Sequence, residues 1–191
     1  MSATNQPFGL VPVGVNGSGV MNHRTRWYPI ASNYGTAIFN GDIVELSGGN
    51  VTRSNQAVFT KALGVFLGCK YTNPTTKQPT WSNTYPASTV AADIFAQVAD
   101  DPDQVYMIQL TAATTAASLG LNANPVTGTG SATTGKSGVR LDQSTITTTN
   151  TLLMRIVGLV NEPGNLWTDA FPKVIVMFNS GFHFFRQATG V

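Results

Sequence analysis

The apolar residues of this chain come in short runs, and glycines, asparagines and prolines frame them. Ala37-Ile38-Phe39 leads into the turn pair Asn40-Gly41. Asp42 to Leu46 is followed by Ser47-Gly48-Gly49-Asn50 and then by Val51-Thr52-Arg53. Two short apolar runs across a Gly-Gly-Asn turn predict a β-hairpin. The run from Ala62 to Tyr71 is too short and too rich in β-branched and aromatic residues for a helix, so it predicts a buried strand. Further strands are expected at Asp93 to Ala99, Val105 to Leu110, Leu152 to Val160, Val174 to Asn179 and Phe182 to Phe185. Between two of them, Asp100-Asp101-Pro102-Asp103 reads as a turn. Only residues 111–121 carry a helical period, through Ala112, Ala113, Ala116, Ala117 and Leu119 up to Gly120, and their threonines argue against it. The fold class is therefore mainly β: a compact β-barrel or β-sandwich of short strands with long loops.

Two segments depart from that pattern. Residues 1–35 hold Pro7, Pro12 and Pro29 with Gly9, Gly14, Gly17 and Gly19, and their apolar residues come in ones and twos. Glycine and proline at that density break helix and ladder alike, so an extended N-terminal arm is expected, ahead of a single β-rich domain over 36–191. Residues 122–150 are dominated by Thr, Gly, Ser and Asn and read as a long loop of that domain. The loop at 72–89 carries Trp81 and Tyr85 among three prolines, which predicts an ordered excursion with pinned rings.

Composition narrows the chemistry. Eleven Lys and Arg and nine Asp and Glu stand against 52 Thr, Ser and Asn in 191 residues. Short neutral side chains suit extended structure and flat contacts with other proteins. A chain of this length buries roughly 70% of its unfolded surface, so disulfide staples are not required. Cys69 is the only cysteine, which excludes an intramolecular disulfide and fits a buried thiol in a chain made in a reducing cytoplasm. The net charge of +2 comes from scattered residues, with no basic run to track phosphates, so direct nucleic-acid binding is not expected. The N-terminus is polar and uncharged, without the pattern of a secretory signal. No window reaches the ~20 apolar residues of a membrane span, and a soluble protein without a membrane partner is expected.

One motif invites an enzymatic reading. Gly130 to Ser137 matches the phosphate-loop pattern G-x-x-x-x-G-K-S, with Lys136 in the lysine position. That pattern works when a buried strand delivers the loop to a helix N-terminus. Here Asn122 to Thr129 is no buried strand, and Gly138 to Asn150 is poor helix material. His23 and His183 lack Cys or Glu at ligand spacing, and Asp100, Asp101 and Asp103 lack the glycine and distal glutamate of a calcium loop. No nucleophile elbow surrounds Ser47 or Ser180. The reading is of a non-enzyme with no cofactor, no catalytic residue and no metal. Trp27, Tyr28, Trp81, Tyr85 and Trp167 are expected in core or interface packing ahead of a sugar platform.

The order of several segments carries a resemblance. Phe8 to Val13, Gly41 to Val44, Leu63 to Tyr71, Trp81 with Tyr85-Pro86-Ala87, Val98 to Pro102, Val105 to Gln109 and Leu153 to Leu159 together resemble the head cement or decoration proteins of tailed bacteriophages, over most of the chain. The resemblance implies a small, mainly β, non-catalytic structural protein on the outer surface of the virion capsid, made in the host cytoplasm. It would bridge major capsid proteins, stabilise the mature shell and self-associate, usually as a homotrimer. On that reading the arm is a clamp, with Phe8, Leu10 and Val11 as apolar anchors and Arg24, Arg26, Trp27 and Tyr28 as capsid-interface contacts. The other reading of the arm is that it packs on its own β core. The alternative function is a phage tail or surface protein that grips host glycans through Trp81, Tyr85 or Trp167.

Overall fold

The structure, a computed structural model, describes residues 4–17, 24–55, 59 and 61–188. Its strands in chain order are β1 (Val11–Val15), β2 (Thr25–Pro29), β3 (Ile38–Phe39), β4 (Ile43–Ser47), β5 (Asn50–Arg53), β6 (Gly64–Thr72), β7 (Pro79–Ser82) and β8 (Thr84–Tyr85). There follow β9 (Phe95–Ala99), β10 (Gln104–Gln109), β11 (Asn122–Ala123), β12 (Pro125–Val126), β13 (Arg140–Leu141), β14 (Met154–Leu159) and β15 (Lys173–Phe178). A first antiparallel sheet has the order β1-β10-β15-β14-β11, and a second has β2-β9-β6-β4-β5 with β7 added beside β6. The fold is mainly β and sandwich-like, and no barrel closes among the described residues.

Local chemistry accounts for the elements. The hairpin of β4 and β5 turns through Gly48 and Gly49, whose φ angles of 55° and 77° are both left-handed. That backbone matches the twist of the flanking strands and suits glycine. In the first sheet, alternation sends Tyr106, Ile108, Val174, Val176, Phe178, Met154 and Ile156 into one core, where they meet Ile43, Val65 and Ala99 of the second sheet. The other face of the second sheet forms its own core from Val44, Phe66, Cys69, Ala96 and Val98, closed over by Ile30, Ile38 and Tyr85.

The arm expected over 1–35 is, in its described part, two edge strands. β1 pairs with β10 and β2 pairs with β9, so each sheet takes one edge from this segment. Prolines and glycines did not prevent pairing because an edge strand needs its donors on one side only. A register shift between Pro12 and Gly14 absorbs the irregularity. Residues 1–3 and 18–23, including His23, lie outside the described residues. Two other expectations change. Residues 182–185 form a 3-10 turn at Phe184–Arg186, with His183 bridged to Ala62 in place of a strand. The helical period of 111–121 yields only the three-residue turn Ala116–Ser118.

The Thr- and Gly-rich tract is ordered and feeds Ala123, Val139 and Leu141 to the first core. Its glycines serve close packing. A Cβ on Gly128 would lie 1.9 Å from the carbonyl oxygen of Gly138, and one on Gly130 would lie 2.3 Å from the Phe39 ring. Overpacking of that kind costs ~1–3 kcal/mol or more. Gly128→Ala is therefore expected to lower unfolding free energy by at least that amount in urea titrations. Gly181→Ala, where a Cβ meets nothing within 4 Å, should stay within ~0.5 kcal/mol of the parent.

Candidate functional site

One face of the second sheet is covered along only part of its length. Val65 on β6 and Ala99 on β9 lie under the first sheet, in its core. Farther along the same face, Leu67, Gln97 and Thr25 meet Val11 and Pro12 of β1 in a groove of about 420 Å³. Beyond that border the face is open and carries Lys70, Phe95, Trp27 and, on β7, Trp81. The register fixes this set: Lys70 lies opposite Phe95 on one side and Trp81 on the other, and Trp27 lies opposite Gln97. A bulge on β6 sets the parity. The shift between Phe66 and Gly68 turns Lys70 onto the face of Val65, where strict alternation would have placed Cys69.

The open face is aromatic. Trp81 is 68% exposed, Trp27 39% and Phe95 37%. The two indoles meet edge to face at 5.6 Å and 78°. The Lys70 ammonium lies 4.5 Å from the Trp27 ring centroid, 5.5 Å from that of Trp81 and 5.7 Å from that of Phe95. Ring quadrupoles attract a cation in this position and hold it over the indoles. None of the four ion pairs among the described residues involves Lys70. A cleft of about 280 Å³ runs past Lys70, Trp81 and Phe95 to Asp93. The Asp93 carboxylate accepts from the Thr72 hydroxyl at 2.6 Å and its N–H at 3.0 Å, and those bonds lower its pKa. Covering one such ring fully stabilises a complex by about 1.5–3 kcal/mol. The arrangement is suited to rigid contact with another surface, because the rings stand on hydrogen-bonded strands of a sheet whose β6 and β9 run on into a core.

The seven residues expected at an interface are dispersed. Leu10 is fully buried in the first core and donates its N–H to Gly41 O. Phe8 is half-buried beside Met107, Val11 lies at the border groove and Arg24 is exposed. Arg26 and Tyr28 alternate onto the other face of β2, where both serve the buried Asp100. The Tyr28 hydroxyl donates to Asp100 at 2.5 Å, and Arg26 Nε lies 3.5 Å from the same oxygen. Burial and then the Asp100 carboxylate push the Tyr28 phenol up to about 12. Arg26 also stacks 5.0 Å above the Phe185 ring. Of the seven, Trp27 alone stands among the exposed rings. Sequence reading missed Lys70 and Phe95. The alternation Phe95, Gln97, Ala99 was a usable signal for one, whereas Lys70 depends on the bulge.

The other constellations resolve into structure. In the segment 130–137, the Ser131 N–H donates to Lys136 O and the Gly135 N–H to Ser131 O, and β13 follows in place of a helix. Asp101 caps the Asp103 N–H at 2.9 Å, and Asp103 pairs with Arg186. The Asp100, Asp101 and Asp103 side chains thus serve separate partners. Cys69 is buried, donates to Thr84 O at 3.3 Å, and burial pushes its thiol up to about 12. Tyr85 is fully buried and Trp167 packs against the first core, so Trp81, Tyr85 and Trp167 do not assemble into a platform. In comparisons with protein-family models, curated proteins and solved structures, nothing matches this chain.

His183 is fully buried between Phe178 and Phe185, and its Nδ1 accepts the Phe185 N–H at 3.3 Å. Burial, helped by the nearby Arg186, lowers its pKa from 6.5 to about 4. Between those values the unfolded chain binds a proton that the folded chain refuses. The stabilisation is complete above pH 6.5 and is lost as pH falls towards 4, by roughly 3 kcal/mol in all. Urea titrations at pH 7 and pH 4.5 should show wild type losing stability relative to His183→Phe across that interval. Parallel losses in the two proteins would contradict a neutral buried imidazole.

Proposed function

We propose that this chain is a cement or decoration protein of a tailed-phage head, which settles on the outer face of the shell and bridges major capsid proteins. The observation that carries the reading is the open face of Trp27, Trp81 and Phe95 around Lys70, on a sheet whose other end packs under the first sheet through Val65 and Ala99. An uncovered cluster of aromatic rings of this kind, on a chain rich in short neutral side chains, supports a protein contact. The order of segments that resembles such proteins supports the same conclusion. Repeated over a lattice, contacts of modest strength add up, because each molecule that touches two capsid subunits binds the second at high effective concentration. Self-association as a homotrimer is part of the proposal and is read from the mass in solution by light scattering.

A glycan grip through the same rings is the competing use. Sugars stack on open ring faces, and here the Lys70 ammonium stands over both indoles.

Purified protein pelleted with heads that lack it decides the matter. Wild type is expected to co-sediment and to raise the resistance of those heads to heat and osmotic shock. Trp27→Ala with Trp81→Ala should weaken binding by about thirtyfold or more, the cost of losing anchor residues at a contact. Wild-type protein that ignores the heads, or leaves their resistance unchanged, would end the proposal, and hits on a glycan array would redirect it.

A further inference from the structure

The open face carries a charge at each end. Lys70 stands in the ring cleft, and Lys136 lines the border groove with Val11, Pro12, Thr25, Leu67 and Gln97. Lys136 is exposed, and its backbone is anchored there through a bridge to Asn40, whose side-chain amide donates to Leu67 O at 2.6 Å. Neither ammonium takes part in an ion pair among the described residues. Between the two lie side chains without charge: Leu67, Gln97, Thr25 and the Trp27 ring. Among the described residues that line the cleft and the groove, the one carboxylate is Asp93, at the far end of the cleft, where it accepts two hydrogen bonds from Thr72.

From this distribution we infer that the open face receives a protein segment with an apolar centre and two carboxylates, one for Lys70 and one for Lys136. Three residues of β6 separate the two ends, which sets the carboxylates on the order of 10 Å apart at ~3.3 Å per strand residue. The inference rests on the reading of this face as a protein contact and names the chemistry of its occupant. A neutral apolar occupant would cover both ammoniums without pairing them, and a buried unpaired charge is costly. A cationic occupant is repelled at both ends. Lys70 is the stronger anchor, because it is already half-buried among the rings, so covering them excludes water from its ammonium and a carboxylate there gains from the lowered dielectric.

Two measurements test this separately from the proposed function. In the first, wild type, Lys70→Gln with Lys136→Gln, and Lys70→Arg with Lys136→Arg are pelleted with heads at rising salt. The glutamine pair should bind about tenfold more weakly at low salt and lose most of the salt dependence, with the arginine pair close to wild type. Wild type that binds heads while the glutamine pair matches it at every salt concentration overturns the inference and leaves the proposed function standing. In the second, indole fluorescence follows binding of an array of twelve-residue peptides with two glutamates three residues apart in an apolar frame, against glutamine controls. Preference for the glutamate peptides, lost in the Lys→Gln pair, supports the inference even if heads are not bound. Equal binding of both peptide sets, or none, overturns it.

Discussion

The carboxylate of Asp42 joins parts of the chain that are remote in sequence. It is fully buried between β3 and β4. One oxygen accepts the Phe39 N–H and faces Arg53 Nε, each at 2.9 Å; the other accepts the Ser137 hydroxyl at 2.6 Å and Arg53 Nη2 at 3.1 Å. Ser137 passes the constraint on by accepting the Val139 N–H, which leads the Thr- and Gly-rich tract into the first core. Next to Asp42, the backbone of Gly41 accepts from Leu10 and donates to Phe66. The N-terminal segment, the second sheet and the long tract therefore converge within a few residues. Removing one partner of a buried ion pair commonly costs about 3–5 kcal/mol, since the other charge stays behind without compensation.

That anchorage bears on the open aromatic face. The tract held by Ser137 brings Lys136 beside β1, and the segment held by Leu10 positions Val11 and Pro12 at the border groove. The rings and Lys70 beyond the border sit on β2, β6, β7 and β9; β6 and β9 also supply buried core residues, and Tyr28 of β2 packs against the second core. A contact on such a face requires little ordering of backbone, so less of the interaction energy is lost on association. The two ends of the same strands divide the work: one end is buried for stability, the other is left uncovered.

Much of the fold was legible because local chemistry and tertiary structure agreed. Gly48-Gly49 between Leu46 and Val51 specified the hairpin, and the runs at β6, β9, β10, β14 and β15 matched strands in the structure. Failures came where pairing partners decided the outcome. Pro12 and Gly14 looked like breakers until β10 supplied the partner for one side of β1. The run at Phe182 to Phe185 had strand composition, but the 3-10 turn and the His183 bridge to Ala62 prevailed. The open aromatic face was the least legible element. Trp81 comes from an excursion that returns to pair with β6, Trp27 from the supposed arm, and Lys70 from a parity reversal at a bulge. No spacing along the chain encodes a group assembled that way, and none marks the meeting of Asp42 with Ser137.

Pro12 stands in β1, an edge strand of the first sheet. A regular strand with free donors there would be a template on which the next copy continues the ladder, and crowded copies would zip into open-ended fibres. Proline has no N–H to offer, and the register shift beside it breaks the spacing that a second strand would need. Growth from copy to copy by continued strand pairing is thus disfavoured at this edge, whatever other surfaces copies share.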